Sequence, residues 1–292
     1  MKKLFKMGMI LIVSLAMILT SCKKEEVNSN GNNNGNTENP GGGNQEYPSS
    51  ADVLYDVVTD IDGNSYDAVR IGDQIWMAEN LRTTRYADGT AIPMGDTISR
   101  SQPYRYAPGA QQSNEDNMPN VSLYGYLYNW PAVMHGEPSS TADPSGVQGI
   151  CPDGWHVPSD AEWTHLTTYM ATQSVYIAGG ASDHIAKALA ANWGWSSDVE
   201  SVVGTDVVGF NPGSNNASGF SALPAGYCQF LNIDYVYIDK FINFGFDAFF
   251  WTGTECFESG AYKREINHDH SIVKRGDYKY KELGFSVRCV RD

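Results

Sequence analysis

Residues Cys151 to Trp163, CPDGWHVPSDAEW, constrain the fold more than any other stretch, because a turn, a short strand and a helix start follow one another there. Pro152, Asp153 and Gly154 are turn residues, Trp155 to Val157 is an apolar-leaning run, and Pro158 with Ser159 redirects the backbone. Ser159 and Glu162 have the S-x-x-E spacing of a capping box, in which hydroxyl and carboxylate each satisfy an amide left unpaired by the first helical turn. Asp160 and Glu162 also suit the positive end of a helix. Trp163, Leu166 and Met170 then fall at i, i+3 and i+7, the stripe by which a helix docks on a sheet, with His165 off it. Ala178-Gly179-Gly180 breaks the chain, and Ser182 is placed to cap a second helix whose apolar face is Ile185, Ala188 and Leu189.

Strand patterning flanks these helices. From Val53 apolar positions alternate through Val57, a turn at Asp62-Gly63, Tyr66 to Ile71, a turn at Gly72-Asp73, and Ile75 to Met77, predicting two or three antiparallel strands. Asp60-x-Asp62-Gly63-Asn64 has the look of a calcium loop, but no bidentate Glu follows at the required spacing, so it reads as a hairpin turn. Arg82 to Asn120 reads as surface loops, and period two over Tyr124, Tyr126 and Tyr128 predicts a strand whose rings pack in the core. Ser196 to Ser218, with its glycines and asparagines, is a long loop. Strands return at FSALPAGYC and FFWTGTEC, a polar run to Lys281 holds one hairpin, and Phe285, Val287 and Cys289 alternate in a closing strand. Two helices between two groups of strands is an α+β order, with antiparallel sheets, an N-terminal β-hairpin region and long irregular loops.

The segments DIDGNSYDAVRIGDQIWMAENLRTTRYADGT, YGYLYNWPAV, GICPDGWHVPSDAEW, GFSALPAGY and GFSVRCVRD, in that order, resemble the Fibrobacter succinogenes major paralogous domain family of bacterial surface proteins. The resemblance runs from about Val53 to Asp292. It implies an extracellular domain with a C-type lectin-like fold, akin also to formylglycine-generating enzymes, and it supplies no catalytic residues. The enzyme chemistry of that fold depends on a cysteine pair near the chain end, whereas Cys289 stands alone in the final segment, so the activity is not carried over. Four cysteines remain besides Cys22, which allow three full pairings. The expected pairs are Cys151 with Cys289, both within family motifs, and Cys228 with Cys256, at the ends of two strand segments.

The N-terminus reads as a leader. Met1 to Lys6 is basic, Met7 to Leu19 is an apolar run too short for a comfortable span, and Leu19-Thr20-Ser21-Cys22 matches a lipobox. Cleavage before Cys22 would leave residues 1–21 as signal peptide and Cys22 as the lipidation site, anchoring the protein to a membrane without crossing it. Lys23-Lys24-Glu25-Glu26 resembles the acidic export signal of surface lipoproteins, which points to the outer membrane and the cell surface. Residues 22–50 are a polar tether too poor in apolar side chains to offset the entropy of ordering, and residues 51–292 form the domain. Removing Lys2, Lys3 and Lys6 with the leader takes the formal charge from −14 to −17. A chain so negative repels polyanions, which disfavours nucleic acid and anionic lipid as partners and leaves calcium or a neutral or basic ligand open.

No motif for catalysis stands out. G-x-S-x-G, H-E-x-x-H and a phosphate-cradling glycine loop are all missing. His268-Asp269-His270 puts two imidazoles on one face of a strand but lacks a marked third ligand, so no metal site is assigned. Asp247, Glu255 and Glu258 near Trp251 have the residue types of a glycosidase pair, whose separation is a three-dimensional quantity. The sequence therefore points to a non-catalytic, surface-tethered recognition domain for a polysaccharide, another glycan or a protein ligand. A surface hydrolase and a structural subunit of an envelope assembly are the alternatives. The expected binding surface is the loop Gly204 to Ser218 with its neighbours: Trp193, Trp195 and Trp251 for stacking, Asn215 and Asn216 for hydroxyls.

Overall fold

The computed structural model describes residues 47–97, 99–110, 116–198, 203–233 and 236–292, with the backbone alone for 230–240 and 277–278. Cys22, the leader and most of the tether lie outside the described residues. Tyr47, counted with the tether by composition, instead packs edge-on against Tyr55 at 6.0 Å and hydrogen bonds to Asp67.

Three strands open the domain: β1 (Asp52–Thr59), β2 (Ser65–Ile71) and β3 (Gln74–Met77). The β1–β2 turn is held by Asp60, whose Oδ1 accepts from the amides of Asp62 and Asn64, while Gly63 takes a left-handed φ of 84°. Asp60 Oδ2 accepts from Tyr66 as well, so this carboxylate serves as a turn clamp. The elements that follow are β4 (Arg105–Tyr106), α1 (Met118–Tyr124), β5 (Leu127–Tyr128), α2 (Trp130–Met134), β6 (Trp155–His156), α3 (Asp160–Ala171) and α4 (Ala186–Leu189). The chain closes with β7 (Tyr227–Ile233), β8 (Val236–Ile242), β9 (Asp247–Phe257), β10 (Gly260–Asn267), β11 (Lys274–Tyr280) and β12 (Val290–Arg291).

A five-stranded sheet has the order β1-β2-β3-β12-β6, so the last strand sits between the N-terminal strands and the segment that precedes α3. Val290 pairs with Trp76 on one side and His156 on the other. A three-stranded sheet, β11-β10-β9, and two two-stranded sheets, β4-β5 and β7-β8, complete the strands. The described residues thus form a mixed α/β fold of mainly antiparallel sheets with four short helices. Two apolar clusters lie on opposite faces of β2 and β9. One holds Tyr66, Tyr128, Phe249, Trp251 and Phe285, the other Val69, Trp76, Trp163, Phe220 and Phe250.

The capping box at α3 forms: Ser159 Oγ accepts from the Glu162 amide, and Glu162 Oε2 accepts from the Ser159 amide at 2.9 Å. Its buried stripe is Trp163, Leu166 and Met170, with Trp163 4.7 Å from Trp76. The second predicted helix is reduced to the single turn of α4, and Ser182 does not cap it. Other segments take its polar groups: the Ala186 amide donates to Ser271, and the carbonyls of Lys187 and Ala188 accept from Asn216 and Ser218.

Residues 124–133 are not one strand. Pro119 and Pro131 sit in the first turns of α1 and α2, Asn129 caps α2 through its side chain, and Gly125 at φ 72° ends α1, leaving two residues for β5. Tyr126 and Tyr128 are nonetheless core residues, as are Thr83, Tyr86, Ile92 and Tyr106 from the stretch read as surface loop. FSALPAGYC is mostly irregular, and the final segment forms a strand over Val290–Arg291 alone. Backbone bridges from Gly284, Phe285 and Ser286 reach Cys228, Tyr128 and Phe250 in turn, so the final segment threads the interior rather than pairing along one neighbour.

Arg288 explains why it does so. This guanidinium, 1% exposed, donates from Nε to Asn80 Oδ1 at 2.7 Å and from its other nitrogens to the carbonyls of Met77, Phe220 and Ser221. Asn80 Nδ2 in turn donates to the Tyr124 carbonyl and to Ser286 Oγ. Four of the five motif segments therefore meet at one buried pair, and Cys151, disulfide-bonded to Cys289, brings in the fifth.

Candidate functional site

Strand register assembles the candidate site. On β10, Lys263, Glu265 and Asn267 alternate with Arg264 and Ile266, and they face Trp251, Phe249 and Asp247 across the ladder to β9. The alternate residues turn the other way, where Phe250 packs on Trp163 and Arg264 donates to Asp160 at the start of α3. One sheet face is thereby committed to the helix. The other is left with both aromatic and charged side chains.

A cleft of about 220 Å³ opens on that second face. Phe249 and Phe285 form its buried floor, with rings 5.3 Å apart, and the half-buried Tyr227 meets them edge-on at 5.1 and 5.9 Å. Asp247, Glu265, Lys279 and Asn243 supply the polar lining. Trp251 stands behind the floor, 4.4 Å from Phe285.

The polar groups are unequally satisfied. Glu265 accepts from Asn267 Nδ2 at 2.7 Å and contacts Lys263 Nζ, which also lies 4.7 Å from the Phe249 ring centre. Burial, reinforced by the ammoniums of Lys279 and Lys274, pulls the Lys263 pKa down to about 7, with Asp247 opposing. Burial and then Asp247 raise that of Tyr227. Asp247 is 7% exposed and accepts from Asn243 Nδ2, yet among the described residues no cation pairs with it. Asn267 Oδ1 is likewise buried with no hydrogen-bond partner among the described residues. A buried carboxylate and a buried amide oxygen without full partners are costly in a core and fit a surface that awaits a donor.

The loop expected to bind ligand is built differently. Asn215 Nδ2 donates to the carbonyls of Ala191 and Val208, and the Asn216 amide exchanges hydrogen bonds with Ser221, so both side chains pin the loop to the core. Trp195, 6% exposed, donates to the Ala222 carbonyl, and Trp251, 1% exposed, to that of Tyr128. Trp193 alone of the five keeps partial exposure, beside Tyr124 at 5.9 Å. Asparagine-rich loops satisfy their own backbone as readily as they bind hydroxyls, and here four of the five expected residues are buried. A polar residue at inward strand positions, Asp247 before Phe249 and Trp251, is the signal that marks the cleft.

Of the remaining candidates, Cys151 and Cys289 are disulfide-bonded and Cys228 is not joined to Cys256. Gly226 bridges Ala248, whereas Cys256 lies eight residues further along β9. Eight residues are about 25 Å of extended chain, and taking off the two residues from Gly226 to Cys228 still leaves far more than the roughly 4.4–6.8 Å between Cα atoms that a disulfide spans. Glu255 contacts Lys281, and Glu258 lies exposed in the β9–β10 turn. His268 is buried edge-on to Phe246, while His270 bonds Asp269. Among the described residues no group of three or more His, Cys, Asp or Glu is arranged to hold a metal ion.

A mixed α/β domain of mainly antiparallel sheets, its sequence motifs gathered at a buried arginine and its cleft walled by aromatic rings, is the class that fold and site define. Within that class the chain belongs to the Fibrobacter succinogenes major domain family, whose sequence profile matches residues 69–291. No curated protein and no solved structure matches the chain.

Proposed function

We propose that this chain is a surface lipoprotein whose C-type lectin-like domain is a non-catalytic recognition module for a glycan, bound in the cleft beside Tyr227 and Asp247. The observation that carries the reading is Asp247 itself, a buried carboxylate without an ion-pair partner among the described residues, set beside aromatic walls. Sugars present both hydroxyl donors for such a carboxylate and an apolar ring face for an aromatic side chain. The basic start, the apolar run and Leu19-Thr20-Ser21-Cys22 support an anchor at Cys22, and the polar segment after it supports a tether that holds the domain off the outer membrane.

The test is a glycan and polysaccharide array probed with the full chain, with and without calcium. A hit that is lost in Asp247→Ala and Tyr227→Ala is the expected result. An empty array, or a hit indifferent to both changes, rejects the cleft as a glycan site, and turnover of the hit favours a hydrolase. Cys22→Ala is expected to shift the protein from the membrane fraction to the soluble one. Retention in the membrane fraction rejects the lipid anchor.

A further inference from the structure

The charges around the cleft narrow the ligand class, given the recognition reading above. Asp247 and Glu265 bring two formal negative charges, and Lys263 and Lys279 bring two positive ones. Lys263 contacts Glu265, which leaves Asp247 and the exposed Lys279 as the charges open to a ligand. A ligand of single charge pairs with one of them and meets like charge in the other. A neutral ligand meets no such penalty and can use both kinds of group, donating to Asp247 and accepting from Lys279.

Size and shape narrow it further. The cleft, at about 220 Å³, is smaller than the roughly 300–1,000 Å³ of sites for drug-sized ligands. Phe249 and Phe285 close its floor, which limits how deep a ligand enters. On the same strand face as Glu265, Asn267 Oδ1 is a further buried acceptor, without a donor among the described residues. We propose that the cleft takes one neutral sugar residue at the end of a glycan chain, its hydroxyls donating to Asp247 and its apolar ring face lying against Tyr227.

Saturation-transfer NMR and calorimetry with the full chain test this. The probes are methyl glycosides of neutral hexoses, the matching uronic acid and amino sugar, and an oligosaccharide ending in the best hexose. One neutral glycoside should bind, with the uronic acid and amino sugar weaker by about tenfold or more. The oligosaccharide should bind within about threefold of the single sugar, because only its end is held. Asp247→Asn should weaken binding by about tenfold or more through loss of the charge-assisted acceptor, and Lys279→Ala, a change on an exposed side chain that leaves the core intact, should weaken it several-fold. Preference for a charged sugar, affinity that grows with chain length, or full affinity in both variants overturns this inference while leaving glycan recognition standing. Silence from every sugar overturns both.

Discussion

At the scale of the residue, the same chemical groups do opposite work according to what surrounds them. Asn80, Asn215 and Asn216 spend their amides on backbone and neighbouring side chains of the chain itself, whereas Asp247 sits buried with a single side-chain donor among the described residues. Arg288 is the extreme case, because burial pulls its pKa below the guanidinium range, against the opposing influence of Tyr47 and Glu79, while it donates to three carbonyls and to Asn80. Its removal takes a charged donor from each of those acceptors. Arg288→Met is expected to lower stability by about 3–5 kcal/mol in urea unfolding. Arg288→Lys should recover little of this, since a lysine cannot present a planar fork to acceptors on three segments. A methionine variant within about 1 kcal/mol of the parent would show that the hub is not what joins the motifs.

At the scale of the element, the start of α3 is tied to the main sheet through His156 on β6. His156 Nε2 lies 2.6 Å from Glu162 Oε1, inside the capping box, and Nδ1 lies 2.7 Å from Asp292 Oδ1 just after β12. Burial disfavours the charged imidazole, but the Glu162 and then the Asp292 carboxylates outweigh it and raise the pKa. A histidine raised in the folded state stabilises fully below its unfolded pKa of about 6.5, and that contribution fades as pH rises through the higher folded value. Unfolding midpoints taken across that window should therefore fall with rising pH in the parent and fall less in His156→Gln. Parallel curves for the two would remove His156 as the cause. This helix start was legible in the sequence because its determinants are local: Ser159, Glu162 and a 3.6-residue stripe need no distant partner. Residues 124–133 were misread because period two in Tyr124, Tyr126 and Tyr128 competes with prolines that seed helical turns on either side. The cleft was legible only through Asp247, a polar residue at an inward position of an otherwise apolar strand. It depends on the register that sets Asp247 opposite Asn267 and on Tyr227 arriving from another sheet, and neither is encoded in a nearby spacing.

At the scale of the whole molecule, the chain returns to its own beginning: β12 enters the sheet beside β3, and the Cys151–Cys289 disulfide ties the approach to α3 to the residue before β12. The bond closes a span of 138 residues that contains both helices α3 and α4 and strands β7 to β11, so it restricts the unfolded chain over nearly half its length. Loop entropy for a span of this size corresponds to about 5 kcal/mol as an upper figure, and measured losses on removing native disulfides run at roughly 2–5 kcal/mol. Both sulfurs are fully buried, so replacement by alanine leaves a small apolar gap in place of a bare polar group. Cys151→Ala combined with Cys289→Ala is expected to cost about 2–5 kcal/mol. At roughly 2–4 °C per kcal/mol for a domain of this size, that lowers the melting temperature by about 4–20 °C. The cleft should be affected as well, since Cys289 lies four residues after the cleft floor at Phe285 on the same segment. Hydrogen exchange would report this as faster opening of residues 284–292 in the double variant than in the parent. If both the melting temperature and the exchange of that segment are unchanged, the motifs are held by the Arg288 hub alone and the bond adds nothing to the native fold.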